Sequence, residues 1–272
     1  MKKVLLATAA LVALTSTAHS EEVTWITGLP GGGYAANAKD GAARLEQRGH
    51  TVTIENRNGS DDITLAACQA AEDGSLVVWE AQLDALYKRE INDGCVLVEA
   101  ATSKMEYAML FFPPDSRNRK LSHLDESDVV LVGKVGSGAE LTNRNMAEIE
   151  KEHGRGDDWS NAERATGDFR RATSMATRGT ISAVMLVGTI SNKDAIRLIK
   201  AGWRFGELWD KDINDLKWGS RPLYNSTKIT FVVDGKKHTN HVYEVPSLIG
   251  TTEAVEFDHT DLFDDIISAA VR

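Results

Sequence analysis

Three short stretches of this chain set glycine and a small hydroxyl or polar residue between a strand-like apolar run and a helix-like one. The first is "ITGLPGGGYAANA", with Gly31, Gly32, Gly33 and Tyr34 at the turn; the second is "ENRNGSDDITLAA", with Gly59 and Ser60; the third is "LVGKVGSGAELT", with Gly136, Ser137 and Gly138. Glycine lets the backbone reach positive φ and come close to a ligand. A helix that starts at such a turn directs its free N–H groups and positive dipole end outward. The chemistry on offer is anion binding without covalent bonds. The first turn also fits a dinucleotide fingerprint, Gly31-x-Gly33-x-x-Ala36, with Glu55 near the place of a ribose-binding acid. An exported enzyme or cofactor binder is therefore the rival reading of that loop, and a turn with no ligand is the third.

Other reactive types fit poorly. Ser137 is not a nucleophile elbow, because Val135 stands where that motif needs glycine. His238 and His241 have a spacing that suits a metal, but their segment reads as a loop and no third ligand is implied, so no metal is expected. Asp61 and Asp62 read as helix-dipole partners, and Ser60 as a helix N-cap able also to face a ligand. The pairs Asp157–Asp158 and Asp264–Asp265 read as solvated helix starts. Glu80 ends an apolar strand, where a carboxylate needs a partner; a cationic group on the ligand and Lys134 or another base across a cleft are equal candidates.

The N-terminal twenty residues carry Lys2 and Lys3, an apolar run from Val4 to Leu14, and small residues at Ala18 and Ser20. That is the three-part form of a secretory signal (1–20), too short to span a membrane. Its removal takes the net charge from −9 to −11, which excludes nucleic acid as an expected partner. The longest later apolar run, Ile181 to Ile190, is also too short to cross a bilayer. A periplasmic location follows, and with it oxidation of the two cysteines. Cys68 and Cys95 are expected to form one disulfide closing a loop of about 28 residues.

From residue 21 onward strand and helix patterns alternate: "EVTWIT" (strand), a helix through Ala38 and Leu45, "HTVTIEN" (strand), a helix from Ser60, and "SLVVWEAQLDAL" as a third strand. The order repeats with "EYAMLFFPPD", "DVVLVG", a long helix after Gly138, a helix-like segment from Phe169 to Ala176, the strand "ISAVMLVG" and a helix through Ala195 and Ile199. Such alternation implies α/β architecture with mostly parallel sheets, whose ligands gather beyond the carboxyl ends of the strands. Repetition of the glycine turn predicts that all three converge on one solute.

The motifs "ITGLPGGGY", "NGSDD", "VVWEAQLDA", "VGKVGSGAELT" and "ISAVMLVG", followed by "VYEVPSLIGTTEAVEFDHTDLFDDIISAAV", resemble in order and spacing those of the TAXI-type solute-binding proteins of TRAP transporters. The resemblance spans nearly the whole mature chain. It departs at Ile63, where the family usually has Asn, at Glu80, where Gln is common, and in the charged stretch from Lys151 to Ala165. It implies a type II periplasmic binding protein: lobe 1 from residues 21–107 with 240–272 returning to it, lobe 2 from 108–239, joined by crossover strands. The implied role is capture of a small anionic solute, an organic acid or acidic amino acid, and delivery to membrane transporter subunits, with no cofactor and no catalysis. A sensory receptor of the same fold is a further alternative. Candidate ligand contacts in lobe 1 are Thr27, Gly32, Gly33 and Tyr34, then Gly59 and Ser60, then Glu80 and Gln82. In lobe 2 they are Val135, Gly136, Ser137 and Gly138, then Met185 and Gly188.

Overall fold

The computed structural model describes residues 20–271, so the expected signal segment (1–20), Ser20 apart, lies outside the described residues. The chain runs β1 (Glu22–Thr27), α1 (Gly33–Gln47), β2 (Thr51–Asn56), α2 (Ser60–Glu72), β3 (Val77–Gln82), α3 (Leu83–Asp93) and the long β4 (Leu97–Phe112). It continues with β5 (Val129–Leu131), α4 (Gly138–His153), β6 (Glu163–Ala165), α5 (Ala172–Thr177), β7 (Ala183–Gly188), α6 (Lys193–Lys200), β8 (Arg204–Gly206) and α7 (Lys211–Asp215). A two-stranded ribbon of β9 (Lys217–Trp218) and β10 (Arg221–Pro222) precedes β11 (Asn225–Val233), the long β12 (Lys236–Thr252), α8 (Glu253–Asp258) and α9 (Thr260–Ala270).

One mixed sheet carries the order β2-β1-β3-β12-β4-β7-β5-β6. Strands β1, β2 and β3 are mutually parallel, as are β5, β6 and β7. Between these halves run β4 and β12, antiparallel to each other and to their outer neighbours. Antiparallel β12 lies beside β3, where the strand order of a dinucleotide-binding fold would continue with a further parallel strand.

Residues alternate strictly between the two faces of the sheet, which explains why its central strands read as continuous apolar runs. Val23, Trp25 and Val78 pack with Ala38, Leu45, Leu262 and Ile266 of α1 and α9. Ile26, Trp79 and Ala81 face the opposite layer, with Ile63 of α2, Leu86 of α3 and Leu141 of α4. In the other half, Met109, Phe111, Val184 and Leu186 pack against Leu198 and Ile199 of α6. The layer under α2, α3 and α4 is continuous, so both halves share one core on that side.

Two sequence readings change. The run "SLVVWEAQLDAL" is a strand only to Gln82; Leu83 opens α3 at once, with Leu83 and Leu86 buried at helical spacing. The segment holding His238 and His241 is no loop but part of β12, paired with Phe231 and Lys228 of β11. Three residues apart on a strand, the two imidazoles fall on opposite faces and cannot share a metal. Cys68 on α2 and Cys95 after α3 are joined, with Cα atoms 6.0 Å apart. Among the described residues no helix is long and apolar enough to cross a membrane.

Candidate functional site

The first two turns lie at the carboxyl ends of β1 and β2 and the third follows β5, so their helices begin at the same region between the sheet halves. Gly32, Gly33, Tyr34, Gly59, Ser60, Gln82, Ser137 and Gly138 line one cavity of about 270 Å³. The two halves meet tightly there. Gly59 has φ of +116°, and a Cβ on it would stand 2.1 Å from the Gly136 carbonyl oxygen. Asn58 Nδ2 donates to the Val135 carbonyl at 3.1 Å. Gly138 has no room for a side chain either, because the Gln82 amide lies where its Cβ would be.

The helix starts are not all capped as the sequence suggests. Ser137 is the N-cap of α4, accepting from the Glu140 amide at 3.4 Å. For α2 the N-cap is Gly59, and the Ser60 hydroxyl instead accepts from the Gln82 backbone amide at 3.2 Å, tying α2 to the end of β3. Asp61 does more than complement a dipole. It pairs with Lys88 at 3.5 Å, with Arg89, and across the halves with Arg144 at 3.2 Å. Burial raises its pKa, but these three cations outweigh it and hold the carboxyl below its ordinary value.

Two charged residues that the sequence reading missed form the wall of the cavity: Lys104 and Glu106, two apart and on one face of β4. Lys104 Nζ sits 4.5 Å from the centroid of the Tyr34 ring and 3.6 Å from Glu106. The Tyr34 hydroxyl donates to Glu106 at 3.0 Å, and the Gln82 amide lies 3.5 Å from the same oxygen. Burial, then the Glu106 charge, push the Tyr34 phenol well above its usual pKa, so it remains a donor. A pair of opposite charges two apart, immediately before the apolar run "YAMLFF", was the available signal. Gly28, Ala139, Phe169 and Val187 complete the lining.

Glu80 lies behind this wall and is fully buried. Its Oε1 accepts from Asn37 at 2.8 Å and from Ser103 at 2.7 Å, with Ser247 at 3.5 Å. No ion pair with Lys134 is formed; neutral donors do that work. Desolvation raises the Glu80 pKa, against the pull of Ser103, Asn37 and Lys104, and Glu106 raises it further. Three buried polar atoms around this end of the sheet have no partner: Thr27 Oγ1, Glu80 Oε2 and Gln82 Oε1. Two of them only accept, so what they lack is a donor.

The remaining candidates fall elsewhere. Val135 is exposed and meets Asn58 through its carbonyl. Met185 is in the core, its sulfur 3.1 Å from Asn143 Nδ2, and does not line the cavity. Gly188 ends β7 against the side chain of Asn192, the N-cap of α6. Glu55, the ribose-contact candidate, is ion-paired with Arg57.

The chain matches no protein-family model and no curated protein. Solved structures do match. The substrate-binding protein of an amino acid ABC transporter aligns over 92% of this chain and 92% of its own, at 12% identity and a TM-score of 0.50. An ancestral arginine-binding protein bound to arginine aligns over 93% of this chain and 92% of its own, at 13% identity and a TM-score of 0.50. The fold is that of the two-lobed periplasmic binding proteins. Both neighbours are binding proteins rather than enzymes, and in this chain β4 and β12 are the strands that cross between the halves.

Proposed function

We propose that this protein is a periplasmic solute receptor, its lobes formed by residues 21–107 with 240–272 and by 108–239, that captures a small carboxylate-bearing solute and delivers it to a membrane transporter. The observation that carries the reading is the convergence of three glycine turns from both halves of the sheet on one cavity of about 270 Å³. N–H groups at the starts of α1, α2 and α4, together with Lys104, offer donors to a carboxylate, and exclusion of water strengthens each bond.

The wall charges refine the solute class. Lys104 and Glu106 cancel, and behind them Glu80 Oε2 and Gln82 Oε1 have no donor, so a dicarboxylate with no cation would leave the acceptors on this side unmatched. An acidic amino acid suits the cavity better than a simple organic acid: its carboxylates take the helix starts and Lys104, and its ammonium takes the Glu106 side, where acceptors outnumber donors. The TAXI resemblance makes a TRAP-type transporter the partner of choice.

Native mass spectrometry of the periplasmic protein identifies any retained solute, and calorimetry with acidic amino acids and dicarboxylates ranks them. Glu106→Gln is expected to weaken an amino acid by at least about tenfold, the loss of one charge-assisted bond of ~1.5–3 kcal/mol, and to spare a dicarboxylate. The opposite ranking would remove the amino acid from the proposal. Stabilisation by NAD instead of either class would favour the cofactor-binding alternative.

A further inference from the structure

The C-terminal turn of α4 holds a second group of acids, away from the cleft. Glu150 is fully buried; its Oε1 accepts from the Asp157 amide at 2.9 Å, and its Oε2 has no partner. Asp210, also buried, accepts the Asp212 and Ile213 amides on Oδ1 at 2.8 and 3.1 Å, and the Trp159 indole N–H on Oδ2 at 3.1 Å. Asp212 accepts both the backbone amide and Nε of Arg155 on Oδ2 at 3.1 Å. One oxygen from each of Glu150, Asp210 and Asp212 lies within 4.8 Å of the others. The only cation paired with these carboxylates in the described structure is Arg155, a largely exposed guanidinium that is shared with Asp157 at 3.6 Å.

We infer that Glu150, Asp210 and Asp212 form a divalent-cation site suited to Ca²⁺. The donor set is all oxygen, which selects a hard cation over zinc or copper. Ca²⁺ accepts several carboxylate and carbonyl oxygens in flexible geometry, whereas Mg²⁺ keeps most of its waters and is seldom held by an all-protein set of ligands. The N–H donors from Asp157, Asp212, Ile213 and Trp159 orient the carboxylates as outer partners do in metal sites. Independently of the crowding of acids, a fully buried carboxylate oxygen with no donor is an exception in folded proteins, and a bound cation resolves it. The ion would clamp the end of α4 to the segment that opens α7. This site does not depend on what the cleft binds.

The test uses the mature protein stripped with EDTA. Trp159 bonds to Asp210 and so stands within range to sensitise Tb³⁺ luminescence. Saturable luminescence displaced by Ca²⁺, with one Ca²⁺ bound per chain by calorimetry, is expected. Asp212→Asn, at a partly exposed position, should fold and weaken Ca²⁺ at least ~tenfold through the lost ligand charge; Glu150→Gln should do the same. Asp264→Asn, in a remote acidic pair, should leave the affinity unchanged. Absence of binding to the wild type, or unchanged Ca²⁺ affinity in folded Asp212→Asn, overturns the site. A Glu150→Gln protein that is more stable than the wild type while neither responds to Ca²⁺ also overturns it, and would show that Glu150 holds a proton instead.

Discussion

Asp84 offers a quantitative test of how the two halves are held together. It lies in the first turn of α3, fully buried, with Oδ2 accepting from Thr142 of α4 at 2.6 Å and from Tyr224 at 2.9 Å. Its Oδ1 has no partner, and Asn145 Nδ2 donates to its backbone carbonyl at 3.1 Å. Burial, opposed by the Thr142 and Tyr224 hydrogen bonds, raises its pKa from 3.8 to about 6. The folded state therefore binds the Asp84 proton more tightly than the unfolded state. This contribution to stability is fully present below about pH 3.8 and is lost as pH rises through about 6. At about 1.4 kcal/mol per pH unit of difference, the loss by neutral pH is about 3 kcal/mol.

Asp84→Asn removes the titration and keeps the shape. The amide oxygen still accepts from Thr142 and Tyr224, while the amide nitrogen takes the place of Oδ1, where no partner stands. That unpaired group costs about 1–3 kcal/mol, but at every pH alike, so the pH profile is diagnostic and the absolute stability is not. Urea unfolding followed by tryptophan fluorescence, from about pH 4 to about pH 8, gives both curves. The wild type should lose about 2.5 kcal/mol relative to the variant across that window. Parallel curves would mean that Asp84 is solvated or paired in solution, and would refute the burial reasoning at the α3–α4 joint.

The disulfide between Cys68 and Cys95, 27 residues apart, should contribute about 3.5 kcal/mol through loop closure, so the double alanine variant should melt about 7–14 °C lower; an unchanged Tm would show that the unfolded chain gains nothing from the cut. Gly59→Ala forces a Cβ against the Gly136 carbonyl at a φ that only glycine favours, so the two turns must separate and solute affinity should fall at least tenfold while circular dichroism is unchanged. Gly49→Ala is its control, because φ is +100° there but the space is open: it should lose about 1–3 kcal/mol of stability and no affinity.

What the sequence disclosed and what it hid divide along the range of the interactions. The ranges of β1, β2 and β7 follow from patterns within a few residues, and so do the glycine turns: period-2 or continuous apolar runs, then a backbone that only glycine tolerates. Lys104 was hidden because the strand pattern is legible only from Glu106 onward; the part of β4 before it is amphipathic and half-buried, and shows its role only once β12 pairs along it. Ser60 reads as a cap because capping is local, yet its partner is the Gln82 amide, which the β1–β3 pairing brings to it. Glu80 follows the same logic: a lone carboxylate in an apolar strand suggests a distant base, and the fold supplies Asn37 and Ser103 instead. Glu150, Asp210 and Asp212 show the limit most clearly. Sixty residues separate the first from the second, each alone is an ordinary helix-end acid, and only the meeting of α4 with the start of α7 makes them a cluster with an oxygen left over.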